Sequence, residues 1–144
     1  MRKKVDPLCN LAYSLCMNRS LDWFRQAKRD REKGNIDIEH AYYEWACFSF
    51  QQASEKGVKN VYQHKNMSVR GHSIVKLLEG LSEIIDVRED ILHAGRVLDR
   101  YYLEGRYPNG FPAGSPSDFF DEKIALEARD ASDKILGFCA DIIS

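Results

Sequence analysis

Residues 121–143 read DEKIALEARDASDKILGFCADII, and within them Ile124, Ala128, Ala131, Ile135, Phe138 and Ile142 recur at steps of three and four. On a helix of 3.6 residues per turn that spacing gathers the apolar side chains into one stripe. The other side carries Glu122, Lys123, Glu127, Arg129, Asp130, Asp133 and Lys134, a mixture of signs that suits water. Ser115, Pro116 and Asp118 supply a start: a cap, a proline in the first turn where its missing N–H costs nothing, and an anion at the positive end. The last helix is therefore expected to run from Ser115 nearly to the end of the chain.

Working back, Arg106 to Gly114 holds two prolines and two glycines and reads as a loop. Before it, Val87, Ile91, Ala94, Leu98 and Tyr101 form a second stripe, opened by an Asp86/Glu89 capping box and stopped by Gly105, so that a helix is expected to end near Glu104. A short helix from Ser73 to about Ser82 uses Ile74, Leu77, Leu78 and Leu81, behind a polar linker from Asn66 to Gly71. Ahead of that, Asp37 caps a helix predicted to continue to about His64, roughly 40 Å at 1.5 Å per residue. A first helix starts at Ser20, with Leu21, Phe24 and Ala27 on one side, and ends near Lys33 at Gly34-Asn35. No segment alternates as a half-buried strand does, and there is no internal repeat. The expected fold is all-α: an antiparallel up-and-down bundle of four main helices plus one short helix over residues 20–144, after an N-terminal extension, helical or disordered, at residues 1–19. Met17 marks an alternative start.

With 144 residues the chain suits one packed domain. The net charge of −1 means that any contact with a polyanion must come from a local cluster of Lys and Arg. Cys9, Cys16, Cys47 and Cys139 lack the close spacing of a zinc or redox pair and read as thiols in a reducing compartment. No run reaches the roughly 18 to 20 apolar residues of a membrane span. A cytoplasmic protein is expected, without metal or cofactor. No Gly-rich phosphate loop, paired-carboxylate pattern or Ser/His/Asp constellation is present.

Three places run against the apolar pattern. On the second helix the stripe Ala41, Trp45, Phe48 continues at the same spacing into Gln52, Glu55, Lys56 and Lys59; either the helix outruns the bundle, or these groups floor a cleft. The fourth helix and its exit carry Arg88, Arg96, Arg100 and Arg106 beside Tyr101, Tyr102 and Tyr107, cations and rings that suit phosphates and bases. Finally, Arg70-Gly71-His72-Ser73 sets two cations before a helix N-terminus, where free N–H groups favour an anion.

Trp23 and Ala27, YYEWACFSFQQASEKGVKNVY from Tyr42, GHSIVKLL from Gly71 and LDRYYLEGRYPNGFP from Leu98 together resemble the HEPN family, named for higher eukaryotes and prokaryotes nucleotide-binding. The resemblance covers about residues 20 to 143. It implies a dimeric helical bundle that binds nucleotide or RNA and is often paired with a minimal nucleotidyltransferase. Lys56, Lys59, Arg100, Arg106 and Tyr107 are the candidate ligand-binding residues. Some relatives are RNA-cleaving toxins that use an Arg followed four to six residues later by His, which Arg88 and His93 match in spacing. On that alternative reading the chain is a metal-independent endoribonuclease of a toxin–antitoxin pair: His93 takes the 2'-hydroxyl proton and Arg88 stabilises charge on phosphate. Glu89 after the Arg and Gly95 in place of a Tyr depart from the pattern. On a regular helix positions 88 and 93 point about 140° apart, so the family's mechanism would draw on two copies in a dimer.

Overall fold

The computed structural model describes residues 19–144; the expectations for the N-terminal extension, Met17, Cys9 and Cys16 lie outside the described residues. Among the described residues five helices follow in order: α1 Ser20–Glu39, α2 Tyr43–His64, α3 Ile74–Leu81, α4 Glu89–Asp99 and α5 Glu122–Ile143. Three single turns of 3-10 helix, at Arg100–Tyr102, Pro108–Gly110 and Pro116–Asp118, lie between α4 and α5. The bundle is all-α and antiparallel, with four main helices and a short α3, and the described residues contain no strand. The central element is α2, which packs on α1 and α5, while α4 packs on α3 and α5.

The stripes of α3, α4 and α5 fall where the spacing places them. Ile74, Leu77, Leu78 and Leu81 are buried with Val87, Ile91, Ala94, Leu98 and Tyr101, and with Ala128, Ala131 and Ile135 of α5. Each large side chain removed from water contributes about 1.5–3 kcal/mol. Burial pushes the Tyr101 hydroxyl up to about 12, and its ring meets Phe120 edge-on at 5.7 Å.

The junction of α1 and α2 differs from expectation. Gly34-Asn35 does not end α1, which continues to Glu39. Gly34 is a packing residue: a Cβ there would lie 2.7 Å from Cε1 of Phe50. Asp37 is no cap either, but is buried inside α1, where its carboxylate accepts from Lys33 Nζ and from Ser49 Oγ at 3.3 Å. The chain turns at Ala41, with φ of 61°, and α2 begins at Tyr43, about 33 Å long at 1.5 Å per residue. Leu21 faces solvent; the inward positions of α1 are Ser20, Ala27 and Gly34, small residues at seven-residue intervals.

Two other boundaries shift by a few residues. Arg88 precedes α4 without a side-chain cap, so the Asp86/Glu89 box does not form, and α4 gives way to the 3-10 turn after Asp99. At the last helix the Ser115 signal closes a separate turn, in which Asp118 accepts the Ser115 N–H at 2.9 Å. Asp121 is the actual cap of α5, accepting from the Ile124 N–H at 2.9 Å.

Candidate functional site

Along α2, Trp45, Phe48, Gln52, Glu55 and Lys59 recur at steps of three and four and share one face. The core side of the helix is a different one, holding Ala46, Cys47, Phe50, Val58 and Val61; Ala41 and Trp45 do not belong to it. The polar half does not simply run out into solvent. Gln51 is fully buried, Glu55 is 4% exposed, and the Lys59 side chain is 11% exposed.

A buried carboxylate costs several kcal/mol unless it is paired and hydrogen-bonded. Glu55 is both: Oε2 accepts from Lys59 Nζ at 3.3 Å, and Oε1 lies 3.0 Å from His72 Nδ1. Gln51 Nε2 donates to the backbone carbonyl of His72 at 3.2 Å, and Gln52 Nε2 donates to Gln51 Oε1 at 2.8 Å. The linker reaches this position through Gly71, whose φ of 114° lies where only glycine is relaxed. His72 is thus held by both ring and backbone, with its side chain still half exposed.

The other wall of the site comes from the exit of α4. The His72 ring lies on Tyr102, with centroids 4.5 Å apart and planes 15° from parallel. Arg106 donates from Nε to the Tyr102 carbonyl at 2.8 Å, and its Nη2 donates to the same oxygen. Its guanidinium carbon sits 4.3 Å from the Phe48 ring centre, 4.9 Å from that of Tyr102 and 5.4 Å from that of Tyr107. Cation–π contacts of this kind fix a flexible side chain while leaving its outer N–H donors free for a ligand. The connection comes this close to α2 because residue 105 is glycine: a Cβ there would lie 2.9 Å from the Glu44 carbonyl oxygen.

The candidate residues divide among four places. Arg106, Tyr107 and, through Glu55, Lys59 lie on the face just described. Tyr107 also lines an apolar hollow of about 420 Å³ with Leu103, Glu104, Asn109 and Gly110. Lys56 turns toward α1 and is paired with Asp30. Arg100 joins His93 in a groove of about 500 Å³ between α4 and α5, which Asp90, Glu127, Asp130 and Lys134 also line. Arg88 stands at the exposed start of α4, where its Nε pairs with Asp90 at 3.1 Å and holds that carboxyl below its ordinary value. Within one chain Arg88 and His93 do not share a cavity.

The anion position read from Arg70-Gly71-His72-Ser73 is already filled. Asp99 accepts the N–H groups of Ile74 at 2.6 Å and Val75 at 3.2 Å, and the Ser73 hydroxyl at 2.8 Å. An internal carboxylate satisfies the α3 N-terminus, so His72 faces Glu55 and Tyr102 instead. Sequence patterns do not reveal this pairing, which joins a loop residue to a helix seventeen positions earlier. Among the described residues no group of three or more His, Cys, Asp or Glu is placed to hold a metal ion, and no described helix is long and apolar enough to cross a membrane.

The HEPN domain model matches residues 20–142. Among solved structures, TT1696 from Thermus thermophilus is 38% identical with a TM-score of 0.85, the alignment covering 87% of this chain and 98% of that one. ST0689, an archaeal HEPN homologue, is 35% identical with a TM-score of 0.75, covering 88% and 98%. An HEPN domain protein (tm0613) from Thermotoga maritima is 33% identical with a TM-score of 0.70, covering 85% and 97%. No curated protein gives a significant match.

Proposed function

The chain belongs to the HEPN domain family, and on that premise we propose that it is a nucleotide- or RNA-binding domain that works as a homodimer and partners a minimal nucleotidyltransferase. The observation that carries the binding reading is the Arg106 guanidinium set among Phe48, Tyr102 and Tyr107, with His72 stacked on the same Tyr102 ring. A guanidinium offers forked hydrogen bonds to phosphate oxygens, and aromatic rings offer stacking to bases. Thermal unfolding with ATP, GTP and short RNA tests it. A ligand at 100 times its dissociation constant adds about 2.7 kcal/mol, and no shift with any of the three would remove the reading. The partner class is tested by co-expression with a nucleotidyltransferase encoded beside this chain, where a stable complex is expected.

The endoribonuclease reading draws on His93, which lines the groove between α4 and α5 with Arg100 and Lys134. It requires RNA cutting in EDTA that His93→Ala abolishes. The acids Asp90, Glu127 and Asp130 along the same groove repel a polyanion, and this makes it the second reading.

A further inference from the structure

We propose that the apolar groove between α1 and α5 is a docking surface for residues 7–16 of this same chain, which seat one apolar face in it as an amphipathic helix. The proposal stands apart from the binding reading above, since it uses a different surface and different residues.

The first ground is the groove itself. The two helices run antiparallel here, with Arg31 paired to Asp133 at 2.7 Å and Phe24 brought beside Ala140. Phe24, Lys28 and Arg31 form one wall and Leu136, Gly137 and Ala140 the other, around about 380 Å³. The α5 wall is open at Gly137, where an added Cβ would meet nothing within 4 Å. On α1 the same face continues at steps of three and four from Arg31 through Lys28 and Phe24 to Leu21. Leu21 is 74% exposed, and a large aliphatic side chain left in water at the mouth of an apolar groove is stabilised by being covered.

The second ground is where the chain enters. Ser20, the first residue of α1, is fixed to α2 by a hydrogen bond from its hydroxyl to Asn60, so the preceding residues join the bundle at the Leu21 end of the groove. The family match begins at residue 20, and the segment before it adds to the shared domain.

The third ground is the sequence of that segment. Asp6 and Pro7 supply the cap and the first-turn proline that open a helix. Leu8, Leu11 and Leu15 follow at steps of three and four with Ala12 among them, while Asn10 and Ser14 fall on the opposite side. As a helix, residues 7–16 span about 15 Å, as do Leu21 to Arg31 along α1. Residues 17–19 then make the reversal, within the connection of about two to five residues that joins antiparallel helices. Laid back along α1, the segment brings Leu15 to Leu21 and carries Asp6 toward Lys28 and Arg31, with Lys3 and Lys4 toward Glu32. Groove and segment therefore agree in length, in apolar face and in charge, the mode in which an amphipathic helix fills a groove.

The experiment places a nitroxide on Cys9 of the full 15N-labelled chain carrying Cys16→Ser; Cys47 and Cys139 are fully buried and take no label. Amide intensities are compared with the nitroxide oxidised and reduced. Phe24, Lys28, Gly137 and Ala140 should each lose more than half their intensity, while Ile74 to Leu81 of α3 keep theirs. Gly137→Gln fills the groove at a point where a side chain has room, and should restore the signals of Phe24 and Ala140. Losses that are absent, uniform or gathered on another face would overturn the inference, as would losses that persist unchanged in a folded Gly137→Gln chain. Losses that appear equally when unlabelled 15N chain is mixed with spin-labelled chain at natural isotope abundance would assign the groove to a second copy's segment and overturn docking within one chain. Each of these failures leaves the binding reading at Arg106 intact.

Discussion

His72 Nδ1 lies 3.0 Å from Oε1 of Glu55, a carboxylate only 4% exposed on the central helix. Lys59 meets the other oxygen of the same carboxylate at 3.3 Å. Removing one member of such a pair leaves the other buried without a counter-charge, at a cost of about 3 kcal/mol or more. Glu55→Ala should therefore lose about 3 kcal/mol in urea denaturation, mainly from the stranded Lys59. Glu55→Gln, which keeps an acceptor in place, should cost less than half as much, and equal losses in the two variants would mean that packing and not charge holds this region.

Gly34 faces the Phe50 ring so closely that an added Cβ would sit 2.7 Å from Cε1. In an exposed helix interior, Gly→Ala gains up to about 1 kcal/mol of helix propensity. Overpacking against a fully buried aromatic costs about 1–3 kcal/mol, so Gly34→Ala is expected to be destabilising overall. An increase in the urea midpoint would show that Phe50 has room to move.

Asp99 supplies from α4 the cap that α3 needs, accepting from the Ile74 and Val75 N–H groups and from Ser73. Asp99→Ala should cost about 2 kcal/mol, the upper range for a lost cap, and should raise amide exchange at Ile74 and Val75 before it does so in α5. Uniform exchange across the bundle would contradict this local role.

Burial pushes the Cys47 and Cys139 thiols up to about 12 from an ordinary 9.0. Above pH 9 the unfolded chain loses these protons while the folded chain keeps them, so stability falls as pH rises, by up to about 1.4 kcal/mol per pH unit for each thiol. The drop in unfolding free energy from about pH 8 to about pH 10 should shrink in Cys47→Ala and again in the double variant with Cys139→Ala. An equal drop in all three proteins would show that these thiols ionise in the folded state.

The helices easiest to read were those whose apolar residues keep strict steps of three and four, as in Val87, Ile91, Ala94, Leu98 and Tyr101. The break between α1 and α2 was not legible, because Gly34 and Asp37 mimic a stop and a start. Gly34 is instead small to admit Phe50, and Asp37 is tied to Lys33 and Ser49. The true turn is at Ala41, with φ of 61°, a conformation alanine rarely adopts and no local signal announces. At the site, Arg106 and Tyr107 could be picked out as a cation beside rings. Arg100 and Lys56 share that chemistry but point elsewhere, since helix rotation and partners such as Asp30 decide direction. His72 was readable as a polar residue near a helix start; its seat on Tyr102 depends on Asp99 having filled that start.

On the proposed reading, ligand binds where α2 meets the α4 exit and not in the groove between α4 and α5. Backbone and side-chain 1H–15N spectra of the full chain, recorded as 5'-GMP is titrated in, test this most directly. The shifts should gather on the Arg106 Nε–H, the Gln52 amide group and the backbone of Phe48, His72 and Tyr107, leaving His93, Arg100 and Lys134 unmoved. Shifts gathered on His93, Arg100 and Lys134 instead would contradict it.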